Sequence, residues 1–195
     1  MKKLLVVAAI LLGAVTANAQ NEVGQISIAP TIGLNYAKIT TDKQEFAPFF
    51  EVGANAEYGM TEKLGISAGV FYSLQGSKDK EAAPESKKEK TKTSYINVPI
   101  LANYYVWNGL AVKAGVQPGF LLSAKHGSTD VKKDAKKFDL GIPVGVSYEI
   151  SNFVVDLRYV IGLTKTAKEQ EIDGHKIKAG KNQVFQLTCG YKFKL

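Results

Sequence analysis

The chain has 195 residues, a single Cys, two His and a formal charge of +7. About +5 remains once Lys2 and Lys3 are set aside with the leader described below. One Cys excludes an intramolecular disulfide framework, and two His with one Cys are too few for an ordinary zinc-type centre. The basic residues are interleaved with Asp and Glu in polar stretches rather than spread among aromatics on one face, which argues against nucleic-acid binding.

Met1-Lys2-Lys3, the apolar run Leu4 to Val15 and the Ala17-Asn18-Ala19 site form a secretory signal peptide over residues 1–19. The run is shorter than the ~20 apolar residues a spanning helix needs. No Cys follows the cleavage site, so lipoprotein acylation is excluded. Residues 20–195 form one domain that contains no second long apolar run. This domain is either soluble or crosses a membrane as strands.

Eight segments of period two follow in order. They are Ile26 to Tyr36, Phe49 to Gly59, Leu64 to Gln75, Tyr95 to Val106, Leu110 to Leu122, Phe138 to Glu149, Phe153 to Leu163 and Phe185 to Leu195. In the last, Phe185, Leu187, Cys189, Tyr191, Phe193 and Leu195 share one face. An apolar-aromatic strand at a chain end invites aggregation in a soluble domain, whereas a membrane barrel needs such a strand for closure. Tyr191, Phe193 and Leu195 are therefore expected to be a C-terminal assembly signal, read by the barrel-assembly machinery during insertion.

The connections alternate in length. Those after the second, fourth and sixth segments are short (Met60 to Lys63, Trp107 to Gly109, Ile150 to Asn152), and the others are long and charged. Short periplasmic turns, long external loops and periplasmic termini are the outer-membrane pattern. The expected fold is all-β, an eight-stranded antiparallel up-and-down transmembrane β-barrel. The competing architecture is a soluble periplasmic lipocalin-like barrel binding an apolar ligand, with the apolar face inside. The polar face argues for the membrane. It is rich in Gly, including Gly33, Gly53, Gly65, Gly69, Gly141 and Gly145, which suits a narrow lumen better than a water-facing exterior.

The same face carries Glu51, Glu57, Lys113, Asp139, Glu149, Asp156 and Arg158. Charges in a closed lumen must pair, so these residues are expected to form a network anchored by Arg158. Lys192 and Lys194 are expected to sit in water at the barrel mouth. Tyr58, Tyr104, Trp107, Tyr148, Tyr191 and Phe193 fall near the short turns and form an expected interfacial girdle. Pro99, Pro118 and Pro143 lie inside strands, where bulges are expected.

Tyr95 to Leu101, Ala114 to Gly119, Phe138 to Gly141, Asp156 to Tyr159 and Gly190 to Phe193 together resemble the PorT-like outer-membrane β-barrel family. The resemblance extends from Gly24 to Leu195. It implies an eight-stranded outer-membrane barrel without a catalytic site, and some family members serve protein secretion.

Chemistry is sparse. His126 and His175 fall in expected long loops, with no strand-borne base near Ser67, Ser73 or Ser147, so neither catalysis nor a metal or other cofactor is expected. The loop Ser77 to Thr93 is charged, poor in apolar residues and expected to be mobile. Thr164 to Asn182 is similar, with a turn at Ile172 to His175. These loops offer contacts to lipopolysaccharide phosphates or to a protein partner. The expected function is that of a small non-enzymatic outer-membrane barrel with a plugged polar lumen, acting in surface interaction, envelope integrity or a secretion system. Intact mass spectrometry of the membrane-extracted protein should give a chain beginning at Gln20; a mass that includes residues 1–19 would remove the signal-peptide assignment.

Overall fold

Strict alternation of apolar with small or polar residues produces long strands, because successive side chains point to opposite faces. A computed structural model describes residues 22–41, 44–79, 90–127, 129–133, 135–167, 170–172, 175–177 and 180–195. The expected signal peptide, residues 1–19, lies outside the described residues. Eight barrel strands are present: β1 Ile26–Ile39, β2 Ala47–Gly59, β3 Leu64–Asp79, β4 in two segments Lys90–Asn97 and Ile100–Trp107, β5 Leu110–His126, β6 Phe138–Ile150, β7 Phe153–Lys165, and β8 Lys181–Tyr191 continued by Phe193–Lys194. Each pairs antiparallel with its sequence neighbours, and β8 pairs with β1 to close the barrel.

Closure runs in one unbroken register from Ile39↔Asn182 to Thr31↔Gly190 and on to Ser27↔Lys194. The final strand has partners on both sides, including Phe153↔Tyr191 across to β7. Short turns join β2 to β3, β4 to β5 and β6 to β7. Thr61 Oγ1 accepts from Leu64 N at 2.9 Å in the first. Gly109 supplies a left-handed residue (φ 76°) in the second, and Ser151 (φ 56°) in the third.

The strands outrun the sequence expectation on the long-loop side. Ser77↔Thr91 and Lys78↔Lys90 are ladder pairs, so the ends of the expected loop Ser77 to Thr93 are strand; residues 80–89 lie outside the described set. Once two neighbouring strands are paired, extending the ladder satisfies further backbone groups even where side chains are charged. His126 likewise is the last residue of β5 rather than a loop residue, with Nδ1 3.0 Å from Thr91 Oγ1. Ile172 pairs with His175 in a small antiparallel ladder, and residues 173–174 of the expected turn between them lie outside the described set.

The expected bulges at the prolines do not occur. Pro118↔Leu140 and Pro143↔Val160 sit in continuous register. Pro99 interrupts β4, yet the pairings on either side of it keep one register; Gly69 N still donates to Pro99 O at 3.0 Å and Val98 N to Pro118 O at 2.9 Å. A proline deletes one donor from one ladder, and the surrounding pairs hold the register. Register shifts lie instead at Ser94/Tyr95, Tyr105/Trp107 and Ile161/Lys165.

The apolar face is the outer one. Ile32, Leu34, Phe50, Val70, Val116, Leu157 and Leu187 are exposed, while Asn35, Ser73, Asn103, Gln186 and Thr188 are buried inside. A lipocalin-like arrangement requires the reverse, so the soluble alternative is not favoured. A closed barrel of this kind resists SDS until heated, and unboiled protein should migrate differently from boiled protein. Identical migration in the presence of membrane lipid would contradict the closed ladder.

Candidate functional site

The interior is lined by buried polar and charged side chains, among them Asn35, Glu51, Glu57, Asn103, Lys113 and Arg158. At the short-turn end, the chain leaves the ladder for one residue at Lys192, whose N–H donates to Asn152 O at 2.6 Å. The alternation nevertheless continues, and Lys192 faces inward in phase with Gln186, Thr188 and Gly190; there Nζ pairs with Glu149 Oε1 and, at 3.3 Å, with Glu57 Oε2. The Tyr105 hydroxyl lies 2.7 Å from Glu57 Oε1 and 2.8 Å from Glu149 Oε1, tying β2, β4, β6 and β8 together. Lys192 is only 7% exposed. Its expected place in water is therefore wrong: two carboxylates on facing strands draw the ammonium inside. Lys194 is exposed, as expected.

At mid-height Asp156 takes two cations. Lys113 Nζ donates to Asp156 Oδ2 at 2.8 Å, and Arg158 Nε lies 2.7 Å from Oδ1, close enough for an ion pair though not aligned as a hydrogen bond. The shared group is thus a carboxylate between Lys113 and Arg158. Glu51 Oε2 accepts from Gln186 Nε2 at 2.8 Å, and Ser73 lies between Glu51 and Asn35. Asp139 stands apart from the other six charged residues. It sits near the long-loop end, where its oxygens accept from Thr164 Oγ1 and from Asn182 Nδ2, the latter at 2.9 Å.

Aromatic and aliphatic side chains fill the remaining space. Phe71, 3% exposed, lies beneath the Arg158 guanidinium with 5.6 Å between the charge centre and the ring. Gly53 and Gly69 make room for it: a methyl group would lie 2.7 Å from Phe71 Cδ1 at Gly53 and 2.6 Å from Cε2 at Gly69. The long-loop end is closed by two apolar clusters, one of Ala37, Ala47, Phe49, Val160 and Val184, the other of Tyr95, Leu121 and Ala124. A residual cavity of about 30 Å³ beside Phe71 and Arg158 has room for water only.

These inward aromatics were not assigned to either face from the sequence. A signal was present in the doublets Phe49-Phe50, Phe71-Tyr72 and Tyr104-Tyr105. Two consecutive residues of a strand cannot face the same side, so one ring of each doublet must enter the lumen.

Outside, Tyr58, Tyr104, Trp107, Tyr191 and Phe193 are exposed near the short turns, and Tyr148 is half-buried. Phe153 meets Tyr191 at 5.2 Å and Tyr191 meets Phe193 at 4.8 Å between ring centroids. Leu195 is exposed, and its N–H donates to Ile26 O at 2.9 Å. A second set of rings lies near the long loops, including Tyr36–Phe46 at 5.0 Å and Tyr159–Phe185 at 4.5 Å. Among the described residues no group of three metal-ligating side chains occurs. The His175 side chain lies outside the described set.

Residues 18–168 match the family described as outer membrane protein beta-barrel domain. The fold is similar to that of Ail, the attachment invasion locus protein of Yersinia pestis, solved in complex with the heparin analogue sucrose octasulfate. The TM-score is 0.51 and the identity 18%, over 88% of this chain and 100% of that one. It is also similar to the outer membrane protein OprG from Pseudomonas aeruginosa, with TM-score 0.50 and 12% identity over 91% of this chain and 99% of that one. At such identities the likeness concerns fold alone. No curated protein matches the sequence.

Removing a cation from the lumen leaves buried carboxylates uncompensated, at a cost of about 3–5 kcal/mol. Lys192→Met and Arg158→Ala should each lower the urea midpoint in lipid by a shift of that order, whereas Lys194→Met should leave it unchanged. Equal midpoints for all three variants and the parent would show that the charges do not act as a network.

Proposed function

The chain belongs to the outer membrane protein β-barrel domain family, and on that premise we propose that this small outer-membrane barrel is non-enzymatic, conducts no solute and acts through its long-loop surface. The observation that carries the proposal is the filled lumen. The ion pairs around Lys192 and Asp156 and the two apolar clusters occupy successive levels of the interior. Aqueous channels are found in barrels of about sixteen strands or more, whereas eight strands leave space that side chains fill.

In this reading the leader of residues 1–19 is removed, both termini and the short turns face the periplasm, and the long connections face outward. The aromatic rings near the short turns lie at the inner interface. The PorT-like placement is carried by the short segments from Tyr95 to Leu101 through Gly190 to Phe193, and a service to secretion would use the same outer surface. Surface interaction is favoured because the long-loop end carries most of the exposed lysines among the described residues, including Lys90, Lys92, Lys125, Lys133, Lys136 and Lys137, against Lys63 and Lys194 at the other end. That Ail, a barrel of similar fold, was solved with a sulfated heparin analogue is compatible with such a role.

Planar-bilayer recording tests the proposal. The refolded protein should give no sustained conductance, and a steady large conductance at neutral pH would replace the surface role with a transport role.

A further inference from the structure

The ladder on the long-loop side places lysines where a sheet ordinarily avoids them. On the outer face of β3, β4 and β5, Lys78 lies directly opposite Lys90, and Lys92 directly opposite Lys125. Lys90, Lys92 and Lys125 are exposed and Lys78 is half-buried. Like charges directly opposite across an antiparallel pair are destabilising. Two such pairs adjoin here, and the acidic residues in register with them flank the group: Glu45 opposite Lys78 and Asp130 opposite Lys125. Beyond Asp130 the surface continues into a hollow of about 550 Å³ lined by Asp130, Lys132, Lys133 and Lys137. A further opposed pair, Lys165↔Lys181, lies at the same end on β7 and β8. No lysine pair is opposed in the ladder at the short-turn end among the described residues.

We propose that the outward lysines Lys78, Lys90, Lys92 and Lys125, with the adjoining Lys132, Lys133 and Lys137, bind the phosphate groups of a phosphorylated glycolipid in the outer leaflet. The proposal deepens the surface role and rests on the reading that the long-loop end faces outward.

Height selects a lipid over a soluble polyanion. Toward the long loops, Lys92 stands four residues beyond the apolar Ile96 on β4, and Lys125 three beyond Leu122 on β5. At ~3.3 Å per residue and a strand tilt of roughly 40°, these lysines stand about 8–10 Å above the last apolar side chains. The headgroup layer adds about 5–8 Å beyond the hydrocarbon, and lysines reach down to it by laying their methylene stems along the apolar belt. Glu45 and Asp130 each face one member of a pair, and a phosphate seated across each lysine pair supplies counter-charge to the other members, Lys90 and Lys92.

The test uses the full mature chain refolded in phosphatidylcholine bilayers, with and without lipid A in both leaflets so that orientation does not matter. The parent should gain in urea midpoint with lipid A, and the gain should shrink in high salt. Replacing Lys78, Lys90, Lys92 and Lys125 together by Gln should raise the midpoint in phosphatidylcholine alone, because the repulsion is gone. It should also raise the half-saturating fraction of lipid A about tenfold or more. The corresponding replacement by Arg should keep the gain. Equal gains for the parent and the Gln variant would overturn the site. So would an equal gain from dephosphorylated lipid A, or from phosphatidylglycerol at matched charge. An equal gain from inorganic phosphate in plain phosphatidylcholine would overturn the lipid assignment in favour of a free anion. The unboiled gel band, read on the same samples, reports separately whether the barrel itself has formed.

Discussion

A peptide N–H or C=O left without a partner in hydrocarbon costs several kcal/mol, and no water is present to take its place. Pairing of β1 with β8 removes the last two open edges of this sheet. Much of the molecule follows from that closure. Side chains must alternate between lipid and lumen, the last strand must carry both a lipid face and a lumen face, and prolines are tolerated only where neighbouring pairs hold the register. Pro99, Pro118 and Pro143 each meet that condition, with ladder pairs continuing on both sides.

Closure with eight strands also fixes how little interior there is. Phe71 finds room beside Gly53, its partner on β2, and Gly69, two residues before it on β3. Charges pass the same filter. Lys192 sits between Glu57 and Glu149, and Asp156 between Lys113 and Arg158, so each buried charge in these two groups has an opposite neighbour. Asp139 is different: hydroxyl and amide donors near the long-loop end replace a cation. Breaking any of these groups by removing one member leaves its partner charged and unsolvated, which costs more than the pair contributes.

The two ends of the barrel are built differently. At the short-turn end a single irregular residue, Lys192, carries the ion pairs that join four strands. At the long-loop end the strands continue past the apolar belt, held inside by the clusters around Phe49 and Tyr95 and bearing lysines outside. A small apolar core in that extension offsets the cost of ordering charged strand ends in water. Its presence accounts for ladder pairs where composition alone reads as loop.

Period-two alternation, the alternating connection lengths and the aromatic C-terminal strand determined by themselves that this chain forms eight antiparallel strands with apolar residues on one face, because each is a local property of consecutive residues. They also placed Glu51, Glu57, Lys113, Glu149, Asp156 and Arg158 on a common face. Which of these meet was decided only by the tertiary structure. Partners such as Lys113 and Asp156, or Lys192 and Glu57, lie on strands far apart in sequence and meet across the lumen. The facing of Lys92 with Lys125 likewise depends on register, set beyond the shift at Ser94/Tyr95. Alternation specifies a face, but it carries no information about which residue stands opposite, and opposition across a closed sheet is where the energetics of this barrel lie.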